Sequence, residues 1–175
     1  MSGRKLEGED LRVFLVNNWM THDAIWYGEV ASRFGMADAS PTNLRVCRSL
    51  GNKEFKRFLK ATGASPPDGM AELREIFDQA WSVFVPPAFE AEVDFRTDDT
   101  LVMKNAECFA HKGMVTAGLI GEYECGIFER IEGWFDAMGL DYTRTPDLSR
   151  CLKYKGEECV VTIQFRFEGK GDPVR

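Results

Sequence analysis

The chain has 175 residues, 44% of them hydrophobic, and a formal charge of -6 from 28 acidic and 22 basic side chains. That composition suits one folded domain with its own core and excludes an intrinsically disordered chain. The acid excess leaves no broad positive field for phosphates and argues against nucleic acid as a partner. The densest basic stretch holds Arg45, Arg48, Lys53, Lys56, Arg57 and Lys60, and it reads as the solvated face of a helix.

The opening MSGRKLEGED is polar, and the apolar run at 13–16 is too short for a leader core or a membrane span. A cytoplasmic protein with no membrane partner is expected. Thiols stay reduced in that compartment, so the five cysteines read as packed side chains, metal ligands or a nucleophile rather than disulfides.

Residues 8–35 have helical spacing. Leu11, Phe14, Leu15, Asn18, Trp19, His22, Ile25, Trp26 and Glu29 share one mostly apolar face, with Asp23 off it. The segment 37–42 contains Pro41 and reads as a break. Ser40 or Thr42 then caps a second helix running to about Thr62, where Gly63 can end it. The turn-rich segment 65–69 divides an N-terminal helical part, 1–65, from a cysteine-bearing part, 66–168, within one compact domain; 169–175 reads as a tail. A third helix spans 70–85 and stops at Pro86-Pro87.

The period then changes to two. Phe89, Ala91, Val93 and Phe95 alternate with charged residues, Thr97-Asp-Asp-Thr turns the chain, and 101–105 returns as a strand. Residues 107–121 and 126–138 read as helices. Two strands, 150–154 and 159–167, close the pattern as a hairpin across Lys155-Gly-Glu-Glu, with Val161, Ile163, Phe165 and Phe167 on one face. This order predicts an α+β fold: N-terminal helices followed by an antiparallel sheet with packed helices.

Four cysteines, Cys108, Cys125, Cys151 and Cys159, fall in the C-terminal half. The expected hairpin brings Cys151 near Cys159, and Cys125 stands at a helix start. Thiolates bind zinc strongly in tetrahedral sets of four, and iron is the other metal such a set accepts. Cys108, His111 and, less well, Asp147 are the candidates for a fourth ligand; Cys108 and His111, three apart, share one side of a helix. The spacing matches no compact CxxC motif, and the alternative is burial as small apolar side chains, which is also how Cys47 reads. Glu122, Glu124 and Glu129 surround Cys125 in sequence, which disfavours a free thiolate and favours a bound dication. Phe128, Trp134, Tyr142, Tyr154 and the strand phenylalanines can wall an apolar cavity or simply fill a core.

The stretch CGIFERIEGWF from Cys125, followed by SRCLKYKGEECVVTI from Ser149, resembles the 4-vinyl-reductase-type domain. The resemblance implies the ligand-binding fold of haem-type nitric-oxide sensors and a vesicle-tethering subunit. It also implies an aromatic-ligand pocket beside zinc held by three cysteines and a glutamate. Cys125, Cys151 and Cys159 match the three cysteines. Leu148 stands where the glutamate is expected and cannot bind metal, so Cys108 becomes the best substitute. The helix Trp19-x-x-x-Asp23-x-x-Trp26 resembles that of a group of bacterial and archaeal proteins, some related at a distance to a hydrolase of 2-aminothiazoline-4-carboxylate. On this helix Trp19, His22, Asp23 and Trp26 are the candidate ligand-binding residues, a polar group among indoles orienting an aromatic guest. Local pairing of Asp23 and core packing of the indoles is the competing reading.

Three functions are therefore expected in order. The first is a small-molecule-binding module for a hydrophobic or aromatic ligand beside a zinc site. The second is a metal-dependent or cysteine-dependent hydrolase of a small cyclic amide, with Cys108 and His111 as the thiol–imidazole pair. The third is a metal-free protein that forms a homodimer through its helices.

Overall fold

The structure is a computed structural model that describes residues 4–86 and 89–167. The elements run α1 (Gly8–Phe34), α2 (Met36–Thr62), α3 (Met70–Phe84), β1 (Ala91–Phe95), β2 (Thr100–Asn105), α4 (Phe109–Thr116), a 3-10 turn (Ile120–Glu122), α5 (Gly126–Ala137), β3 (Asp141–Thr145) and β4 (Val160–Arg166). The four strands form one antiparallel sheet in the order β1-β2-β4-β3. The fold is α+β, with three helices ahead of the sheet. The expected tail, 169–175, lies outside the described residues.

One core joins the helices to the sheet. Phe55 and Phe58 of α2, Leu73 and Phe77 of α3, and Phe128, Ile131, Trp134 and Phe135 of α5 pack on one another. The sheet adds Leu101 and Met103 of β2, which pair across the strands with Ile163 and Val161 of β4. Residues on both sides of the 65–69 turn thus share the same core. Phe128 and Trp134 belong to it, and both are almost wholly buried.

Helices α2 and α5 meet at backbone distance. A Cβ added at Gly51 would lie 1.9 Å from the Arg130 carbonyl oxygen, and one at Gly133 would lie 2.4 Å from that of Arg48. Arg48 bonds to Glu129, Glu132 and Asp136 of α5 and to the Tyr142 hydroxyl on β3. The basic stretch of α2 is therefore not solvated throughout: Arg48 ties the helix to α5 and the sheet.

Three expectations are corrected. The break at 37–42 is a single residue, Gly35, whose φ of 81° turns the chain at once; Pro41 lies inside α2. Glycine alone adopts that backbone freely. Residues 150–154 are not a strand. The partner of β4 on that side is β3, where Tyr142 faces Phe165, a β-prone pair. Finally, the face of α1 that carries Leu11, Phe14, Leu15, Ile25 and Trp26 points away from the fold, Trp26 being 61% exposed. The inward face carries Tyr27 and Ala31, which pack on Met36, Ala39 and Tyr123. The Tyr27 hydroxyl bonds to Ser40, which donates to the Glu122 carbonyl, so a polar relay sets the rotation of α1.

Candidate functional site

Turning α1 this way brings Trp19 and Asp23 inward over the N-terminal end of α5. Beneath them lies an apolar cavity of about 140 Å³. Its walls include Trp19, Tyr27 and Asp23 from α1, Asn43 and Cys47 from α2, Phe109 and Met114 from α4, and Tyr123, Ile127 and Arg130. Trp19, Asp23, Tyr27 and Asn43 also line a more open groove of about 460 Å³ between α1 and α2. Of these two spaces His22 and Trp26 reach the groove alone. The four candidates on α1 are thus split: Trp19 and Asp23 at the boundary of both spaces, His22 and Trp26 on the outside.

Cys47, Asn43 and Arg130 carry chemistry that the sequence reading did not assign to this site. Cys47 is a cavity wall rather than a plain core residue. Burial, and next the nearby Asp23, push its thiol up to about 12. Its Sγ lies 3.6 Å from Asn43 Oδ1. Gly126 makes room for this pair: a Cβ there would lie 2.8 Å from Asn43 Nδ2 and 2.9 Å from the Cys47 sulfur. Arg130 stacks on the Trp19 ring, its guanidinium carbon 4.4 Å from the ring centre. The same guanidinium donates twice to Glu54, at 2.7 and 2.8 Å, and Glu54 also accepts from the Trp134 indole at 2.7 Å. Glu54 is buried. A helical reading of Arg130 and Glu54, distant in sequence, offers no signal for this pairing.

Cys108, Cys125, Cys151 and Cys159 all line one small enclosed space of about 20 Å³, with Tyr123, Phe128, Leu148 and Leu152. They arrive by routes other than the expected hairpin. Cys151 comes from the loop ahead of a turn at 152–156, and Cys159 from the residue before β4. Cys125 is the residue ahead of α5. Cys108 caps α4 and accepts the His111 backbone N–H at 3.5 Å, so it precedes the helix rather than riding its side. The His111 ring reaches Cys151 instead, with Nδ1 3.6 Å from Sγ. Leu148 is buried at the wall, while Asp147 is exposed and bonds to Ser149.

Burial is the largest influence on the thiols of Cys108, Cys125 and Cys159, raising Cys125 to about 12 and Cys159 to about 11. Cys108 and Cys159 each add to the rise at Cys125, and Cys151 acts on both of the others. The thiols, rather than the neighbouring glutamates, are thus the anions that Cys125 feels most. Among the described residues no group of three or more His, Cys, Asp or Glu side chains is drawn together as a metal centre. Sulfur and imidazole are ligand types that zinc and iron accept, and four sulfurs line this space with the His111 imidazole against Cys151. A dication there would reverse the mutual opposition of the thiolates.

No helix among the described residues is long and apolar enough to cross a membrane. No protein-family model matches the chain, and no curated protein matches it.

Proposed function

We propose that this protein binds a small hydrophobic or aromatic molecule in the cavity under α1, beside a structural zinc site of the 4-vinyl-reductase type. The observation that carries this reading is a shared wall. Tyr123 and Ile127 line both the aromatic cavity and the space that holds the four thiols. A metal held by Cys108, Cys125, Cys151 and Cys159 would fix the start of α5 and the 152–156 turn. It would thereby set the shape of the ligand cavity. Four protein ligands leave no open position, which is the pattern of a structural rather than a catalytic zinc.

Elemental analysis with a native thiol count, followed by calorimetric titration with ethylbenzene, tests it. The expected result is about one zinc per chain with masked thiols, lost in Cys151→Ser together with thermal stability. Ethylbenzene binds, and Ala110→Trp, at a residue of the cavity wall, fills the cavity and weakens binding in a variant that still melts cooperatively. Freely titrating thiols without metal, or no binding of ethylbenzene or any other one-ring probe at millimolar concentration, overturn the corresponding half.

One contact favours a second reading. The 3.6 Å approach of His111 Nδ1 to Cys151 Sγ joins a thiol and an imidazole from separate elements, the arrangement an activated nucleophile needs. In this reading Cys151, not Cys108, attacks a small cyclic amide. Alkylation of Cys151 by iodoacetamide that slows in His111→Ala, together with turnover on a lactam panel, supports it; an unreactive Cys151 removes it.

A further inference from the structure

We infer that the cavity under α1 is built for a one-ring organic cation, whose ammonium group is held by Asp23. This deepens the binding proposal and rests on it. Three observations carry it: an unsatisfied carboxylate, an arginine already committed, and a matching size.

Asp23 lines both the inner cavity and the outer groove, and its carboxylate is half-buried. Among the described residues no hydrogen bond or ion pair reaches it. A carboxylate kept partly out of water without a donor is costly, and a ligand N–H at that point relieves the cost. Burial accordingly holds the Asp23 carboxyl above its ordinary value, against the weaker pull of Arg130 and His22.

Arg130 would ordinarily suggest an anionic guest. Its guanidinium is already engaged: two hydrogen bonds go to Glu54 and one face lies on Trp19. Glu54 cancels its charge at close range. Around Cys47, on the cavity wall, the acids Asp23, Glu129 and Glu54 act against Arg130 alone. An anion entering here meets Asp23 beside a guanidinium whose charge Glu54 already balances. A cation meets a carboxylate without a hydrogen-bond donor, and the Trp26 indole lining the groove adds a ring that attracts cations.

The inner cavity, about 140 Å³, is close to the ~150 Å³ that accommodates a benzene ring in an apolar protein interior. A ring seated there places a short amine tail at Asp23, on the threshold of the groove.

The test is calorimetric titration of the purified chain with three probes of one shape: phenethylamine, ethylbenzene and 3-phenylpropionate. Phenethylamine is expected to bind about tenfold or more tighter than either of the others, as a charge-assisted hydrogen bond would give. Asp23→Asn should bring phenethylamine down to the level that ethylbenzene shows in the same variant. Equal or tighter binding of 3-phenylpropionate, or unaltered phenethylamine affinity in Asp23→Asn, overturns the cation assignment while the cavity stands. Failure of all three probes on the wild-type chain removes the binding reading itself. The ranking on the wild-type chain decides the matter even where the variant does not fold.

Discussion

The two sides of α2 are built differently. Toward α5 and the sheet, Phe55, Phe77, Trp134 and Phe135 are almost wholly buried, and two glycines let the helix backbones touch. Toward α1, contact is carried by Tyr27, Ala31 and a hydroxyl relay, and two cavities remain. Packing at interior density resists any change of volume, so the first side is where stability resides. The loosely filled side can admit a guest without displacing the core, and binding regions are regularly drawn from such less stable parts.

The largest effects should come from breaking the tight side. Gly51→Ala or Gly133→Ala forces a methyl group into opposing backbone, which cannot move aside as a side chain could. A loss of roughly 3 kcal/mol is expected, seen as a fall of roughly 10 °C in Tm. A change under about 1 kcal/mol would mean that the two helices can separate freely.

Glu54→Ala comes next. It strands the Arg130 guanidinium and the Trp134 N–H, both of which Glu54 accepts from. Removing one partner of a buried pair costs about 3 kcal/mol, measured by urea unfolding. Because Arg130 also roofs the ligand cavity, this variant sharpens the comparison. Loss of stability with retained ethylbenzene binding would separate the two sides, and joint loss would couple them.

The thiols give a pH-dependent test. Cys47 and Cys125 are pushed up to about 12 and Cys159 to about 11, against 9.0 for an ordinary thiol. Above pH 9 the unfolded chain loses these protons first, so it binds fewer protons than the folded chain. Stability from this source is complete below pH 9 and falls as pH rises toward about 11 and then about 12. The loss is at most about 1.4 kcal/mol per thiol per pH unit. The urea midpoint of metal-free protein should therefore drop between pH 8 and pH 10. Zinc, which binds the thiolates themselves, should shrink that drop.

The smallest effect is expected at Trp26→Ala. The indole is 61% exposed on the outer face of α1, and such substitutions change stability by no more than about 0.5 kcal/mol. A larger loss that depends on protein concentration would show that a second copy covers this face, the homodimer expected on sequence grounds.

Much of the fold was legible because it is local. Helical spacing and terminal glycines placed α1 and the end of α2, where Gly63 adopts the left-handed cap. Alternation placed β4, whose Val161, Ile163 and Phe165 are indeed inside. The rotation of α1 was not legible. Apolar periodicity marks Leu15, Ile25 and Trp26 as the inner face, yet a Tyr27–Ser40 hydroxyl pair and a small Ala31 face the fold instead. The hydrophobic stripe identifies a face that seeks cover, not what supplies the cover. The same limit hid Cys47, Asn43 and Arg130, whose meeting depends on the α2–α5 crossing and on the absence of a side chain at Gly126.

The sequence by itself determined the order of helices and strands as far as α5, the place of β4, the α+β class and the presence of four cysteines in the C-terminal half, since these follow from period, turn chemistry and composition. Tertiary structure decided which strand pairs with β4, which face of α1 turns inward, that Arg130 is occupied by Glu54, and that all four thiols line one enclosed space. Those outcomes rest on contacts between residues far apart in the chain, where shape and unsatisfied polar groups choose among arrangements that local propensity leaves equivalent.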